Sequence, residues 1–252
     1  FLRPLASDLA QTLSTNDFVL VCDGPLTKEL DAVLEENQKA HKEVFHLLRL
    51  KENVGLGRAL NEGLKCCKNE AVARMDSDDI ACKDRCEKQL RVLEEGIDIV
   101  SGTVVEFEKD ILHCKAKRTL PLSKEEILKF AGRRNPFNHP CVMYRKEAVE
   151  KAGGYQHFYL FEDYYLWARM LLLGVEARNL PDTLLYMRAG TGMYKRRGGW
   201  KYVKSMLHFR LFLWKSGLSS FLDFVVCAGG QMMICLIPNR LRELFYKKFL
   251  RK

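Results

Sequence analysis

Short runs rich in β-branched and aromatic residues alternate with amphipathic stretches of helical length along most of this chain. The runs are 18–22, 44–50 and 71–75, and leucines at helical spacing lie between them. This alternation predicts an α/β fold, a mostly parallel sheet covered by helices. With 252 residues, of which 47% are hydrophobic, the chain can bury the core that such a fold needs.

Polar residues follow each of these three runs. Asp23-Gly24-Pro25 follows the first, 53–58 the second, and Asp76-Ser77-Asp78-Asp79 the third. Ligands of open α/β sheets bind at the edge where the carboxyl ends of parallel strands meet, so we expect these loops to form one site. Each also has a simpler interpretation as an ordinary turn.

The acidic turn after the third run places three carboxylates in four positions. Their mutual repulsion is costly unless a cation offsets it, and oxygen-only ligation suits Mg²⁺ or Mn²⁺. Asp is also common at helix N-caps, so a solvated turn that caps the next helix is the alternative. The turn alone does not decide between them.

The loop 53–58 offers backbone N–H donors and the cation of Arg58 to an anion at a helix N-terminus. It lacks the Lys-Ser or Lys-Thr of a P-loop and the spacing of a dinucleotide fingerprint, so a plain strand-to-helix turn is equally well supported. Asp23 is open in the same way, because its carboxylate suits a ribose or base edge but also starts an Asp-Gly-Pro turn.

The net charge of +9 indicates an anionic partner, which could be nucleic acid, acidic lipid or a phosphorylated small molecule. The sequence has no recognised nucleic-acid-binding motif, so we expect no nucleic-acid partner. Nine cysteines without the spacing of a small disulfide scaffold favour a reducing cytoplasm.

Taken in order, four blocks resemble the family 2 glycosyltransferases of GT-A fold: Asp23-Gly24, Asn53-x-Gly55, 73–79 and Glu162-Asp163. The similarity covers about residues 1–200. Two further blocks, 135–140 and 192–199, resemble the bacterial branch that builds surface polysaccharides, including amylovoran-type galactosyl- and glucosyltransferases. Several ordered blocks are more specific than one acidic turn.

The resemblance implies a metal-dependent, inverting transfer of a hexose from a nucleotide sugar, in the first place a UDP-hexose, to a saccharide or lipid-linked saccharide. It places Asp23 at the nucleoside, Asp76 near the ribose and diphosphate, and Asp78 on the metal with Asp76 beside it. The remaining donor-binding candidates are Asn53, Gly55, Arg58, Arg74, Arg188, Arg196 and Arg197.

Inversion by single displacement needs a base for the acceptor hydroxyl and a device that stabilises the departing nucleoside diphosphate. Asp163 is the candidate base, since it begins a predicted helix whose dipole favours the ionised carboxylate, and Glu162 would orient the acceptor. Arg188 and the glycine-flanked loop 195–197 would face the leaving group, with the loop closing as a lid. The alternative for Glu162 and Asp163 is an acidic pair at a helix start with no catalytic role. The alternative for 195–197 is a basic turn on the surface.

Asn138 and His139 are the candidates for acceptor binding, although a lone His is more often a structural hydrogen-bonding residue. Related enzymes often place a further His on the metal after the base. Arg188 and the basic loop occupy that region here, so the third protein ligand stays open.

The two ends of the chain carry separate expectations. Family members begin with a central strand and a nucleotide-contacting loop before the helix that 1–12 matches, so the chain is expected to be N-terminally incomplete and could by itself be inactive. Residues 1–200 are predicted to form the glycosyltransferase domain, and 201–252 a basic, aromatic and apolar helical tail. The tail is too short in apolar residues to span a bilayer but suits an anionic membrane interface. It predicts a peripheral protein on the cytoplasmic face of the cell membrane; helices packed on the catalytic domain are the alternative.

Two other functions stay open. A sugar-phosphate nucleotidylyltransferase would share the sheet and the acidic turn, but usually begins with a Gly-rich loop bearing Lys or Arg after its first strand. A non-catalytic, membrane-associated sugar-nucleotide binder would be unaffected in turnover by Asp163→Asn. The enzyme predicts near-complete loss of turnover in that variant, with donor binding retained.

Overall fold

The computed structural model describes residues 2–190 and 198–236, which form an alternation of helices and strands. The first elements are α1 (Leu2–Leu9), β1 (Phe18–Cys22), α2 (Lys28–Ala40), β2 (Phe45–Arg49), α3 (Leu56–Cys66), β3 (Ala71–Ala73), β4 (Ile80–Ala81) and α4 (Arg85–Glu94). The remaining ones are β5 (Ile99–Phe107), β6 (Cys114–Arg118), α5 (Lys124–Ala131), a 3₁₀ turn (His139–Cys141), β7 (Met143–Arg145), α6 (Lys146–Lys151), α7 (Glu162–Leu172), β8 (Ala177–Arg188), α8 (Trp200–Lys215) and α9 (Phe221–Leu236).

Local sequence signals explain several helix boundaries. The Thr27 side chain caps α2 by accepting a hydrogen bond from the backbone N of Leu30. Ser123 and Glu126 form the predicted capping box at the start of α5. The chain leaves α6 through Gly153, whose φ of 80° lies in the left-handed region that favours glycine.

The strands form two sheets, and the prediction of a mostly parallel sheet is wrong. β1 and β2 pair in parallel in a two-stranded sheet. The six-stranded sheet has the order β3-β7-β5-β8-β4, with β6 also paired to β5, and only β5 and β8 are parallel in it. Side-chain patterning reports burial and not strand direction. The link between β5 and β6 holds no helix that could form a crossover, so β6 returns antiparallel.

The main core lies between the six-stranded sheet and the helices that cover it. Trp167 of α7 is fully buried against the edge of the Phe137 ring, and Ile99 of β5, Ile127 of α5 and Val149 of α6 complete the same cluster. This packing fixes the start of α7 relative to the strands.

A second cluster joins the C-terminal helices to α7. Phe209 of α8 stacks on Phe161 with ring centroids 4.9 Å apart, and contacts Tyr164 at 4.6 Å. Met206 of α8 and Ala228 of α9 belong to the same cluster. In the described part of the predicted tail, α8 and α9 therefore pack on α7. Within the described ranges, no helix is both long and apolar enough to cross a membrane.

Candidate active site

A cavity of about 450 Å³ lies between β1, α1, α3 and the end of β3. Its volume is in the range of small-ligand sites. Five of the predicted donor-binding residues line it: Asp23, Asn53, Gly55, Arg74 and Asp76. Apolar side chains, among them Leu5, Val19 and Leu60, form most of the rest of the wall. The three loops predicted to converge do so here.

Asp23 ties the end of β1 to the glycine-bearing loop. Its Oδ1 accepts a hydrogen bond from Val54 N at 2.7 Å, and its Oδ2 accepts one from Gly55 N at 3.1 Å. Asn53 Nδ2 returns a bond to the Asp23 carbonyl at 3.2 Å. Gly24 has a φ of 103° and comes so close to Asn53 that a Cβ would lie 3.0 Å from its backbone N. The carboxylate therefore shapes the loop while it lines the cavity.

Arg74 is a buried cation at the inner wall of the cavity, with 5% of its surface exposed. Its Nη2 pairs with Asp76 Oδ1. Among the described residues, Nε and Nη1 have no hydrogen-bond partner. Buried donors without an acceptor cost free energy, so the protein itself leaves this guanidinium only partly satisfied.

Asp79 corrects the interpretation of the acidic turn. The turn enters strand β4, and α4 begins only at Arg85, so Asp79 is not at a helix start. Asp79 is buried, and its Oδ1 accepts a hydrogen bond from Arg188 N at 2.7 Å. Burial raises the pKa of its carboxyl to about 7, against the lowering effect of that hydrogen bond; Asp76 and Asp78 raise the pKa further. Its Oδ2 has no hydrogen-bond partner in the described chain.

Arg188 lies beside the acidic turn. Its Nε donates to the carbonyl of Asp78 at 3.3 Å, its Nη1 donates to the carbonyl of Glu108 at 3.0 Å, and its guanidinium covers the Phe107 ring at 4.6 Å. The side chain is exposed. It therefore presents a fixed positive charge next to Asp78 at the solvent side of the site.

The metal prediction has a partial structural basis. No three His, Cys, Asp or Glu side chains in 2–190 and 198–236 are grouped to hold a metal ion by themselves. Mg²⁺ at phosphate sites is commonly bound by one or two carboxylates together with substrate phosphates. Asp78 is exposed, Asp76 is partly exposed, and the adjacent Asp79 Oδ2 is an orphaned buried oxygen. This donor set fits a divalent ion that also binds a diphosphate.

Glu162 and Asp163 form the first turn of α7, where the helix dipole favours negative charge. Asn135 Nδ2 donates a hydrogen bond to Asp163 Oδ2 at 2.8 Å. Burial raises the pKa of Glu162, and the neighbouring Asp163 adds to the effect. Just before the pair, Leu160 has a φ of 63°, which is sparsely populated for a non-glycine residue and marks local strain.

The acidic pair lies close to the glycine-bearing loop. A Cβ placed on Gly57, in the first turn of α3, would lie 3.6 Å from Glu162 Cγ and 3.5 Å from Tyr155 Cβ. The starts of α3 and α7 are therefore in contact. Glu162 and Asp163 do not line the cavity itself. Glu162 lies beside the first turn of α3, which follows the glycine-bearing loop.

The two acceptor candidates are structural neighbours of the core. Asn138 is buried, and its Nδ2 donates to the carbonyls of Gly102 and Arg118. His139 Nε2 lies 3.0 Å from the Tyr155 hydroxyl, and its ring packs on the edge of Trp167. Burial holds the pKa of His139 well below its usual range, and the nearby Arg74 lowers it further. These contacts give both residues a role in holding the loop that carries Asn135.

Among the described donor candidates, Arg58 and Arg188 do not line the cavity. Arg58 is exposed in the first turn of α3 and is not among the residues that line the cavity. Arg196 and Arg197, with the rest of the basic loop 195–197, lie outside the described residues. Their predicted roles stay predictions.

Sequence reasoning missed three residues of the site. The sequence predicts Asp79 only as part of an acidic turn and Asn135 only as part of the block 135–140. It does not predict a role for Asp8. Asp8 lines the cavity from α1, and burial raises its pKa to about 6, with Arg85 lowering it. Helical spacing could have indicated Asp8, because it lies one turn after Pro4 and Leu5 and therefore on the same face of α1.

Comparison with known proteins assigns the family. Residues 2–153 match the family described as glycosyl transferase family 2. The chain is 40% identical over 245 residues to the amylovoran biosynthesis glycosyltransferase AmsE of Erwinia amylovora, covering 94% of this chain and 89% of that protein. It is 34% identical over 250 residues to an Escherichia coli UDP-Gal:alpha-D-GlcNAc-diphosphoundecaprenol beta-1,3-galactosyltransferase, covering 98% and 90%.

Solved structures show the same fold at low sequence identity. Staphylococcus aureus TarS 1–349 in complex with UDP-GlcNAc superposes with a TM-score of 0.63 at 16% identity, over 99% of this chain and 67% of that one. The mannosyltransferase PcManGT of Pyrobaculum calidifontis, in complex with GDP-Man and Mn²⁺, gives 0.59 at 14%, over 98% and 83%. The fold is therefore that of GT-A transferases, with a curled mixed sheet, and the chain belongs to glycosyl transferase family 2.

Proposed function

We propose that this glycosyltransferase moves a hexose from a UDP-sugar to a saccharide or lipid-linked saccharide in bacterial surface-polysaccharide biosynthesis. The observation that carries the proposal is the cavity that unites Asp23, Asn53 and Arg74, whose guanidinium is paired with Asp76 through Nη2 only. The names of the Erwinia amylovora and Escherichia coli relatives support the acceptor class and the pathway class. The family assignment favours this function over a nucleotidylyltransferase.

The donor is held by groups with complementary chemistry. Asp23 accepts hydrogen bonds from the nucleoside, and the N-terminus of α3, which follows Gly55, favours an anion through the helix dipole. Arg74 supplies the two buried donors that lack partners. Asp76, paired with Arg74, lies between the ribose and the diphosphate.

Asp78 and Asp76 would hold Mg²⁺ or Mn²⁺ together with the diphosphate of the donor. The bound ion would neutralise the negative charge that develops on the leaving group. Arg188 adds a fixed cation at the same end of the site, where its guanidinium already bonds the carbonyl of Asp78. The exposed position of Asp78 leaves its carboxylate accessible to both the ion and the phosphates.

Asp163 acts as the general base of a single displacement. Its carboxylate takes the proton of the acceptor hydroxyl as the acceptor oxygen bonds to the anomeric carbon. The bond from that carbon to the diphosphate oxygen breaks, and its electron pair leaves with the nucleoside diphosphate. Attack opposite the leaving group inverts the anomeric configuration. Asn135 holds the base at 2.8 Å, and Glu162 orients the acceptor.

The reaction is placed at the cytoplasmic face of the cell membrane, where a lipid-linked acceptor and a soluble nucleotide sugar meet. The net charge of +9 supports attraction to that anionic surface.

A donor panel tests the proposal. The chain is incubated with UDP-glucose, UDP-galactose, UDP-GlcNAc and GDP-mannose, with Mg²⁺, Mn²⁺ or EDTA, and release of nucleoside diphosphate and binding of each donor are measured. We expect binding and slow hydrolysis with one UDP-hexose, abolished by EDTA and by Asp78→Asn. Absence of both binding and turnover with every donor would overturn the proposal.

A further inference from the structure

One face of α9 is apolar and open to solvent. Leu222, Val225, Val226 and Met233 are exposed by 70%, 49%, 62% and 70%, and Gly229 lies between them. Leu222, Val225, Gly229 and Met233 follow one another at intervals of three, four and four residues, and Val226 lies four residues after Leu222, so all five share one stripe along the helix. We call this stripe the α9 apolar face.

The opposite side of α9 packs against the rest of the protein. Ala228 and Cys235 are buried against α7 and α8, with Phe224 and Met232 beside them. Asp223, the one charged residue of the helix, is bound by Arg133 Nε at 2.6 Å. The α9 apolar face thus carries no charge and is turned away from the core that anchors the helix.

Basic and aromatic side chains are exposed on the same helix pair. The exposed side of α8 carries Lys201, Lys204, His208 and Lys215 in one stripe. At the turn between α8 and α9, Trp214 and Phe221 are both partly exposed, with ring centroids 5.3 Å apart. By sequence alone, the 16 residues after Leu236 contain six basic residues and one acidic residue. An exposed apolar stripe on a helix pair that also presents cations and aromatic rings has the chemistry that binds an anionic lipid surface.

We propose that the α9 apolar face docks the enzyme on an anionic lipid bilayer, with α9 lying in the plane of the interface. The described α9 has 16 residues and a length of about 24 Å, less than the roughly 30 Å hydrocarbon core, and its exposed apolar side chains lie on one face, which suits a helix in the plane of the interface. The α9 apolar face would make the membrane contact of the proposed function. Only the expectation that the acceptor is linked to a lipid rests on that function.

Vesicle binding by the full chain tests this surface. The wild type, the triple variant Leu222→Ser/Val226→Ser/Met233→Ser and the single variant Leu222→Ser are sedimented with vesicles of phosphatidylcholine alone and of phosphatidylcholine mixed with phosphatidylglycerol. Leu112→Ser/Leu173→Ser is the matched control, because both leucines are exposed but lie outside α9. Circular dichroism verifies that each variant is folded.

We expect binding to the phosphatidylglycerol vesicles to fall at least about tenfold in the triple variant, by less in the single variant and not in the control. Lys201→Gln/Lys204→Gln/Lys215→Gln should weaken binding and reduce its dependence on salt. Wild-type protein that does not bind these vesicles, or a triple variant that binds like the wild type, would overturn the inference. A wild-type protein that is a dimer, together with a triple variant that is a monomer, would also overturn it, because a second copy of the chain would then cover the face.

Donor hydrolysis without vesicles separates this inference from the proposed function. The α9 variants lie outside the donor and base residues, so they should keep the wild-type hydrolysis rate. Vesicle binding without any donor turnover would contradict the proposed function and leave the docking surface intact. Donor turnover without vesicle binding would contradict the docking surface alone.

Discussion

At the scale of single residues, two buried arginines carry opposite roles. Arg85 is satisfied within the protein, since its Nη2 donates to the carbonyls of Arg74 and Val142 and its Nε donates to Gln89. Arg74 has two donors with no partner in the described chain. Arg85 therefore has its hydrogen bonds within the fold, and we propose that Arg74 is kept for the donor.

Replacing each arginine by Met separates these roles. Arg74→Met should weaken donor binding by about tenfold to hundredfold, since charge-assisted hydrogen bonds are lost. Its free energy of unfolding without donor should stay within about 1 kcal/mol of wild type, because a half-satisfied buried charge is removed. Arg85→Met should lose about 3 kcal/mol, because it leaves buried acceptors unpaired. Urea unfolding and donor titration measure both, and a large loss of stability in Arg74→Met would contradict this assignment.

Asn135 is a positioning residue for the proposed base. Asn135→Ala removes the hydrogen bond donated to Asp163 Oδ2, which favours the ionised carboxylate. We expect kcat to fall by about tenfold to hundredfold and the acidic limb of the pH–rate profile to move to higher pH. Asn37→Ala, on the far helix α2, is the control. An unchanged pH profile with reduced kcat would show that Asn135 acts only through the fold.

The residues that sequence reasoning missed share a physical cause. Asp79 is buried next to the end of β8, where its hydrogen-bond partner Arg188 is 109 residues away in the sequence. Asn135 reaches Asp163 across 28 residues. Adjacent carboxylates predict a turn or a metal site, but burial and pairing of this kind depend on tertiary contacts that one sequence does not reveal.

At the scale of elements, the existence of helices and strands was predictable, and strand direction was not. The predicted strand 18–22 is β1, and 44–50 contains β2, because alternating apolar residues report burial. The acidic turn after β3 leads to β4 and not to a helix, which was the alternative interpretation of this turn, since Ile80 and Ala81 pair with Tyr186 and Leu185 of β8. That partner lies too far along the sequence to be inferred from local patterning.

Gly102 tests the packing of β5 against β8. A Cβ at this position would lie 2.5 Å from Leu184 Cδ1, at a point where the register of the two strands shifts. Gly102→Ala should destabilise the protein by about 1–3 kcal/mol through overpacking. Gly229→Ala is the matched control, because nothing lies within 4 Å of its added Cβ, and it should stabilise α9 by about 0.5–1 kcal/mol. Equal stabilities in urea would contradict this packing.

At the scale of the whole molecule, the C-terminal helices are part of the enzyme's architecture. The aromatic cluster around Phe161, Tyr164 and Phe209 fixes α8 and α9 to α7, which also carries Glu162 and Asp163. The composition of the tail predicted helices and an interfacial character. It could not show that one side of α9 would be buried on α7 and α8 and the other left open.

His139 links global stability to pH. Its folded pKa is held well below the ordinary value near 6.5, so the unfolded chain binds a proton that the folded chain does not. This contribution to stability is therefore present above about pH 6.5 and is lost as the pH falls below it. His139→Gln should show a smaller loss of unfolding free energy between about pH 7 and 5 than wild type. His208→Gln, at an exposed histidine, should follow the wild type.

The central claim is that the chain binds a nucleotide sugar in the cavity and transfers its hexose through Asp163. Donor titration and hexose transfer, measured on the same preparation of Asp163→Asn, test it most directly, with Asp182→Asn at a surface ion pair as control. We predict unchanged donor affinity, a loss of transfer of about a thousandfold or more, and a control that matches wild type. Transfer at the wild-type rate in Asp163→Asn would contradict the account.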